Sequence, residues 1–106
     1  MKKVFVTSHD QDWLFLIDRS LKQAGYEVHF VEQGEADKKE TPDVYIIDTM
    51  SNEEISNCKY LNFHSTQVVI TSADYTIRKK AMDSGADKFL KKPFTANTLI
   101  SAIEKG

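Results

Sequence analysis

The run Val44-Tyr45-Ile46-Ile47 ends abruptly in a lone carboxylate, Asp48. Four apolar residues, all β-branched or aromatic, read as a strand buried on both faces, with the acid emerging at its carboxyl end. Ligands and chemistry gather at that end of an open α/β sheet, so position alone makes Asp48 a candidate functional group. Thr7-Ser8-His9-Asp10, after the first apolar run, supplies hydroxyls, an imidazole and an acid but no glycine, so no Gly-rich phosphate cradle is formed there. His29 and His64 have no metal-ligand spacing with His9 and read as surface residues. The single cysteine, Cys58, has no partner for a disulfide or a metal and reads as apolar filler in a reducing compartment.

The elements that must hold these groups can be read in order. Lys3–Thr7 is a first strand, and Ser8-His9-Asp10 turns the chain. Leu14, Ile17, Leu21 and Ala24, flanked by Trp13 and Leu16, recur at helical spacing over Gln11–Ala24, and Gly25 supplies the left-handed stop. Tyr26–Val31 alternates as a half-exposed edge strand should, with Tyr26, Val28 and Phe30 opposite Glu27 and His29. Gly34–Glu40 is short and charged, a brief second helix before Thr41-Pro42 leads into the Val44 strand. Ser51 and Glu54 have capping-box spacing for a third helix that fades by Leu61. Gln67–Thr71 is a fourth strand, left through Ser72-Ala73-Asp74. A fourth helix over Thr76–Ser84 carries Ile77, Ala81 and Met82 on one side and ends at Gly85; Ala86–Leu90 is the fifth strand. Lys91-Lys92-Pro93-Phe94 turns the chain, and Thr95 caps a fifth helix with Ala96, Leu99, Ile100 and Ile103 as its buried stripe. Strict βα alternation with short connections implies an α/β fold with a parallel sheet, helices on both faces and right-handed crossovers.

Bulk properties bound the function. At 106 residues the chain reads as one domain over 1–106. A net charge of −2 with interspersed signs argues against nucleic acid and gives no basic stripe for a membrane surface. The longest apolar run is about four or five residues, against the roughly 20 of a membrane span, and no signal peptide is visible, so a cytoplasmic location is expected.

Asp48 at the end of the third strand, Ser72-Ala73 after the fourth, Gly85-Ala86-Asp87 and Phe89-Leu90, and Lys91-Lys92-Pro93-Phe94 together resemble the receiver domain of bacterial two-component response regulators. The resemblance spans the chain and is most specific in its last third. It implies a flavodoxin-like (βα)5 fold with strand order 2-1-3-4-5, and a signalling module of the phosphorelay type rather than an enzyme. Position by position, it implies that Asp48 is the phosphoacceptor carboxylate, that Lys92 pairs with the acceptor and then with phosphoryl oxygens, that Ser72 is the hydroxyl that turns toward them, and that Phe89 is the aromatic that follows. The partners implied are proteins, a histidine kinase or an effector. They would meet the face of the fourth helix, fifth strand and fifth helix, where Tyr75, Lys88, Lys91 and Phe94 stand. Lys79-Lys80 and Lys91-Lys92 otherwise read as a solvated rim.

Two departures make the chain an atypical, pseudo-receiver-like member. Where the family presents two adjacent acids that help hold Mg2+, this chain has Ser8 and His9. That exchange removes about two negative charges from the shell of a hard cation, so magnesium affinity should fall steeply and no cofactor is expected. Weak substitutes remain: Asp10, better placed as a helix cap; the Met50 carbonyl; or a transition ion on His9 and Asp48. The second departure is a shortened segment from Asp48 to Ser72, with Thr49-Met50-Ser51-Asn52 in place of the family's Pro and Gly turn signals. Three readings follow: a receiver acting by protein contact with impaired or absent Mg-dependent phosphorylation, a working phosphoacceptor receiver, and a small flavodoxin-like cofactor binder. In the first, Asp48 and Lys92 form a resting ion pair.

Overall fold

The structure, a computed structural model, describes residues 2–31, 41–56 and 65–104. Along the chain these form β1 (Lys3–Thr7), α1 (Gln11–Gln23), β2 (Glu27–Phe30), β3 (Val44–Asp48), α2 (Asn52–Ser56), β4 (Gln67–Ser72), α3 (Ile77–Asp83), β5 (Lys88–Lys91) and α4 (Ala96–Glu104). The brief helix expected at Gly34–Glu40 lies outside the described residues, as do Cys58, Leu61 and His64. The fourth and fifth helices of the sequence reading are therefore α3 and α4.

The five strands make one parallel sheet in the order β2-β1-β3-β4-β5, as the flavodoxin-like resemblance implied. β3 is central, and all five of its residues are buried. The pleat divides its side chains between two cores. Val44 and Ile46 join Val4, Val6 and Val69 under Leu14, Ile17 and Leu21 of α1 and Leu99 and Ile103 of α4. Tyr45 and Ile47 join Phe5, Val68 and Ile70 under Ile55 of α2 and Ile77 and Ala81 of α3. Ile46 and Ile47 are both 0% exposed, and burying each contributes about 1.5–3 kcal/mol. This two-sided burial is why β3 reads as an unbroken apolar run, whereas the edge strand β2 leaves Glu27, His29 and Phe30 exposed.

Gly25 and Gly85 do the same work after α1 and α3. Each has positive φ, 94° and 108°. Each sits where two hydrogen bonds close the helix: Gly25 N–H and Tyr26 N–H donate to Lys22 and Leu21 carbonyls, and Gly85 N–H and Ala86 N–H to those of Met82 and Ala81. A Cβ at Gly25 would meet nothing within 4 Å, so conformation rather than space demands glycine there.

Some stripes are narrower than their spacing suggests. Ala24 caps α1 and Ala96 begins α4, and both are exposed at these helix ends; Met82, one residue past buried Ala81, is 38% exposed. β5 begins at Lys88 rather than Ala86. Asp87 clips the entry of β5 to β4: its N–H donates to the Val68 carbonyl, and its carboxylate accepts the Val68 N–H at 2.7 Å. Among the described residues no helix is long and apolar enough to cross a membrane.

Candidate functional site

Asp48 ends β3 at the carboxyl edge of the sheet, 7% exposed, with the ends of β1 and β4 on either side. Four hydrogen bonds converge on its two oxygens. Lys92 Nζ donates to Oδ1 at 3.0 Å and Oδ2 at 3.1 Å, Ser8 Oγ to Oδ2 at 2.6 Å, and Thr71 Oγ1 to Oδ1 at 3.1 Å. Lys92 follows β5, and its side chain is 18% exposed, so the pair is largely withdrawn from water. Two charges in such a place are tolerable only when paired and further hydrogen-bonded, and the two hydroxyls complete that shell.

The register explains which hydroxyl meets the acid. Asp48 is aligned with Thr71 across the parallel ladder, so their side chains share one face, the α1–α4 side. Ser72 points the other way. Its buried Oγ accepts the Asp74 N–H at 3.0 Å and lies 3.5 Å from Met50 Sδ, shaping the loop that leaves β4 rather than touching Asp48. Thr71 was missed by sequence reasoning. Two adjacent hydroxyls end this strand, and only the pairing of β3 with β4 says which one faces the acid.

Asp10 is the N-cap of α1: its Oδ1 accepts the Trp13 N–H at 3.1 Å, and its own N–H donates to Ser8 Oγ at 3.0 Å. Asp10 Oδ2 stands 3.9 Å from Lys92 Nζ, so Lys92 lies between two acids. The Trp13 ring is also close, its centroid 4.5 Å from the ammonium, and meets Phe94 edge-on at 4.8 Å. The Lys92–Pro93 bond between them is cis. Phe89 is half-buried against the α2–α3 core and meets the exposed Tyr75 edge-on at 6.1 Å. On the α3–β5–α4 face Tyr75 and Lys91 are exposed, Lys88 is half-buried, and Phe94 is turned toward Trp13.

Above Asp48 lies an open cleft of 740 Å³ lined by His9, Asp10, Gln11, Asp12, Asp48, Thr49, Met50, Ser51 and Lys92. Its rim is shaped locally: Thr49 Oγ1 accepts the Ser51 N–H at 2.9 Å, and Ser51 Oγ accepts the Glu53 N–H at 3.2 Å, capping α2. The cleft does not fit a hard divalent cation well. Such an ion needs several oxygen acceptors with negative charge. Here both Asp48 oxygens already accept from an ammonium and hydroxyls, Ser8 is a donor where an acid would be a ligand, and one Asp10 oxygen is committed to the helix cap. His9 and Asp48 both line the cleft, yet among the described residues no group of three or more His, Cys, Asp or Glu is placed to hold a metal.

Elsewhere, Thr76 donates to Asp74 Oδ1 through both Oγ1, at 2.6 Å, and N–H, at 2.9 Å, holding that carboxyl below its ordinary range. On the edge strand, the hydrogen bond from His29 and the nearby Lys3 ammonium hold Glu27 low.

The comparisons with known proteins agree with this fold. A family model described as the response regulator receiver domain matches residues 4–104. The chain is 26% identical over 115 residues to the transcriptional regulatory protein GltR of Pseudomonas aeruginosa, covering 97% of this chain and 48% of that protein; it thus spans about half the length of this relative. A CheY-like receiver domain protein from Methanospirillum hungatei superposes with a TM-score of 0.82 at 19% identity, covering 99% of this chain and 92% of that one. The Thermotoga maritima response regulator TrrA, solved with Mg2+ and a beryllium fluoride, gives 0.80 at 23% identity, covering 99% and 98%. At such identities these two likenesses speak for the fold. Receiver domains are signalling modules that work by contact with histidine kinases and effectors. With its family match over nearly the whole length, its 2-1-3-4-5 sheet and an acid at the end of β3, this chain belongs to the receiver domains of two-component response regulators.

Proposed function

We propose that residues 1–106 act as a single, atypical receiver unit in the cytoplasm, in which Asp48 rests in an ion pair with Lys92 and signalling passes by protein contact with impaired or absent Mg2+-dependent phosphorylation. The observation that carries this reading is the donor set on Asp48. Ser8, standing where the family has an acid, donates at 2.6 Å to the very carboxylate it would otherwise join as a metal ligand. A buried carboxylate satisfied by an ammonium and two hydroxyls needs no metal ion to balance its charge. The α3–β5–α4 face is the proposed contact surface, with Tyr75, Lys88, Lys91 and Phe94 as its residues, and Phe89 behind Tyr75 as the aromatic that would couple the site to it.

One observation favours a second reading, a working phosphoacceptor. Asp48 and Lys92 both line the open cleft, so a small phosphodonor can approach them, and Ser72 would then turn inward to a phosphoryl oxygen. Incubation with a phosphodonor, with and without Mg2+ or Mn2+, followed by intact-mass measurement of the wild type and Asp48→Ala, separates the two. The first reading expects no metal-dependent adduct at Asp48, or one on only a small fraction of the protein. A metal-dependent phosphate adduct on most of the protein that vanishes in Asp48→Ala would sink it and establish the second.

A further inference from the structure

The receiver site uses Lys92 but leaves unexplained what fixes a flexible lysine stem in place. We propose that Trp13 is the positioning residue for Lys92, its ring face holding the ammonium over Asp48. This holds whether or not Asp48 is ever phosphorylated. Four observations converge on it. The Lys92 ammonium is 4.5 Å from the Trp13 centroid, within cation–π range. Phe94, two residues after Lys92, packs its ring edge-on to Trp13 at 4.8 Å and 84°, so the same indole anchors both ends of the Lys92–Phe94 turn. Trp13 is itself pinned, because its backbone N–H is the one that Asp10 caps at 3.1 Å. Finally, the Trp13 Nε1 is buried, and its N–H finds no acceptor among the described residues.

That last point separates the roles a tryptophan can play. Buried indoles normally secure a hydrogen bond for Nε1–H. Here the ring is placed for its face and edge at the expense of its polar atom. The ring quadrupole attracts a cation, so the indole face holds the Lys92 ammonium in place over Asp48.

The chain has one tryptophan, so biosynthetic incorporation of fluorinated tryptophans alters this ring alone. Progressive fluorination drains the ring face of electron density while keeping its shape. The readout is the rate at which an N-hydroxysuccinimide ester acetylates Lys92, measured by peptide mass spectrometry with exposed Lys91 as internal standard. The ester reaches the Lys92 amine only when it leaves its contacts with the Trp13 ring and Asp48. The rate should climb with each fluorine, reaching about two- to thirty-fold over the unsubstituted protein when the cation–π attraction is lost. Trp13→Leu should reach the same range, whereas Trp13→Phe, which keeps a π face and discards the unpartnered N–H, should stay near wild type. A rate that is flat across the fluorinated series would overturn the proposal, whatever the folding of Trp13→Leu. Equal rates in folded Trp13→Leu and Trp13→Phe would reduce Trp13 to a packing residue and overturn it too.

Discussion

Replacing Lys92 by methionine should damage the fold more than neutralising Asp48 does, although the two form one pair. Asp48 is 7% exposed and Lys92 18%. Lys92→Met keeps the aliphatic stem and removes the ammonium, leaving a buried carboxylate with only the Ser8 and Thr71 hydroxyls. Removing one partner from a buried ion pair costs about 3–5 kcal/mol, and the surviving hydroxyls place this case near the low end, about 3 kcal/mol. At about 4–8 °C per kcal/mol for a chain of this size, the midpoint of thermal unfolding should fall by roughly 15 °C. Asp48→Asn instead strands an ammonium that still has water, Asp10 at 3.9 Å and the Trp13 ring at 4.5 Å, and should cost about 1–2 kcal/mol. The double variant should lose only about 2 kcal/mol in all, well short of the sum of the singles. Urea unfolding followed by far-ultraviolet circular dichroism at pH 7 supplies all four corners of the cycle. The coupling should survive 0.5 M salt, since a pair this withdrawn from water is little screened. Additivity within about 0.5 kcal/mol, or a Lys92→Met cost below about 1 kcal/mol, would refute the reasoning, because it would mean that water reaches Asp48 freely.

Three further outcomes are expected. Ser8→Asp converts a donor on Asp48 into a second carboxylate beside it and should raise Mg2+ affinity about ten-fold or more in a calorimetric titration; an unchanged affinity would mean that Ser8 is not what weakens the site. Asp87→Ala removes the acceptor of the Val68 N–H at 2.7 Å, should cost about 1–2 kcal/mol, and should raise the hydrogen-exchange rate of the Val68 amide before that of the central β3 amides. Asp74 should titrate below the ordinary aspartate range by carboxyl NMR and return toward it in Thr76→Val, which removes the hydroxyl donor. Because its folded-state value is depressed, its contribution is fully present above the unfolded aspartate value and is lost as pH falls through the folded one.

The elements were legible in the sequence because their signals are local. An unbroken apolar run such as Val44–Ile47 marks a central strand, Tyr26–Val31 contains the edge strand Glu27–Phe30 although Phe30 is exposed along with Glu27 and His29, and Gly25 and Gly85 stop helices wherever a left-handed residue must follow. The candidate acid was legible for the same reason, since a carboxylate at the end of such a run has to surface where the sheet ends. Where local patterns stopped short, geometry had taken over. Ala24 and Ala96 keep helical spacing but sit at exposed helix ends, and Asp87 bonds Val68 of β4 just before β5 begins.

The sequence by itself determined that Asp48 would stand where the sheet ends, because an apolar run that stops at a carboxylate is enough to say so; that Ser8 and His9 stand where receivers present an acid pair followed from the resemblance. Only the tertiary structure decided what took the place of those acids. That Ser8 donates to Asp48, that Thr71 rather than Ser72 does so as well, and that Trp13 lies against Lys92 all depend on the register of β1, β3 and β4 and on how α1 crosses the sheet. A one-residue slip of β4 would exchange the two hydroxyls and leave every local pattern intact, which is why no reading of the chain in one dimension could choose between them.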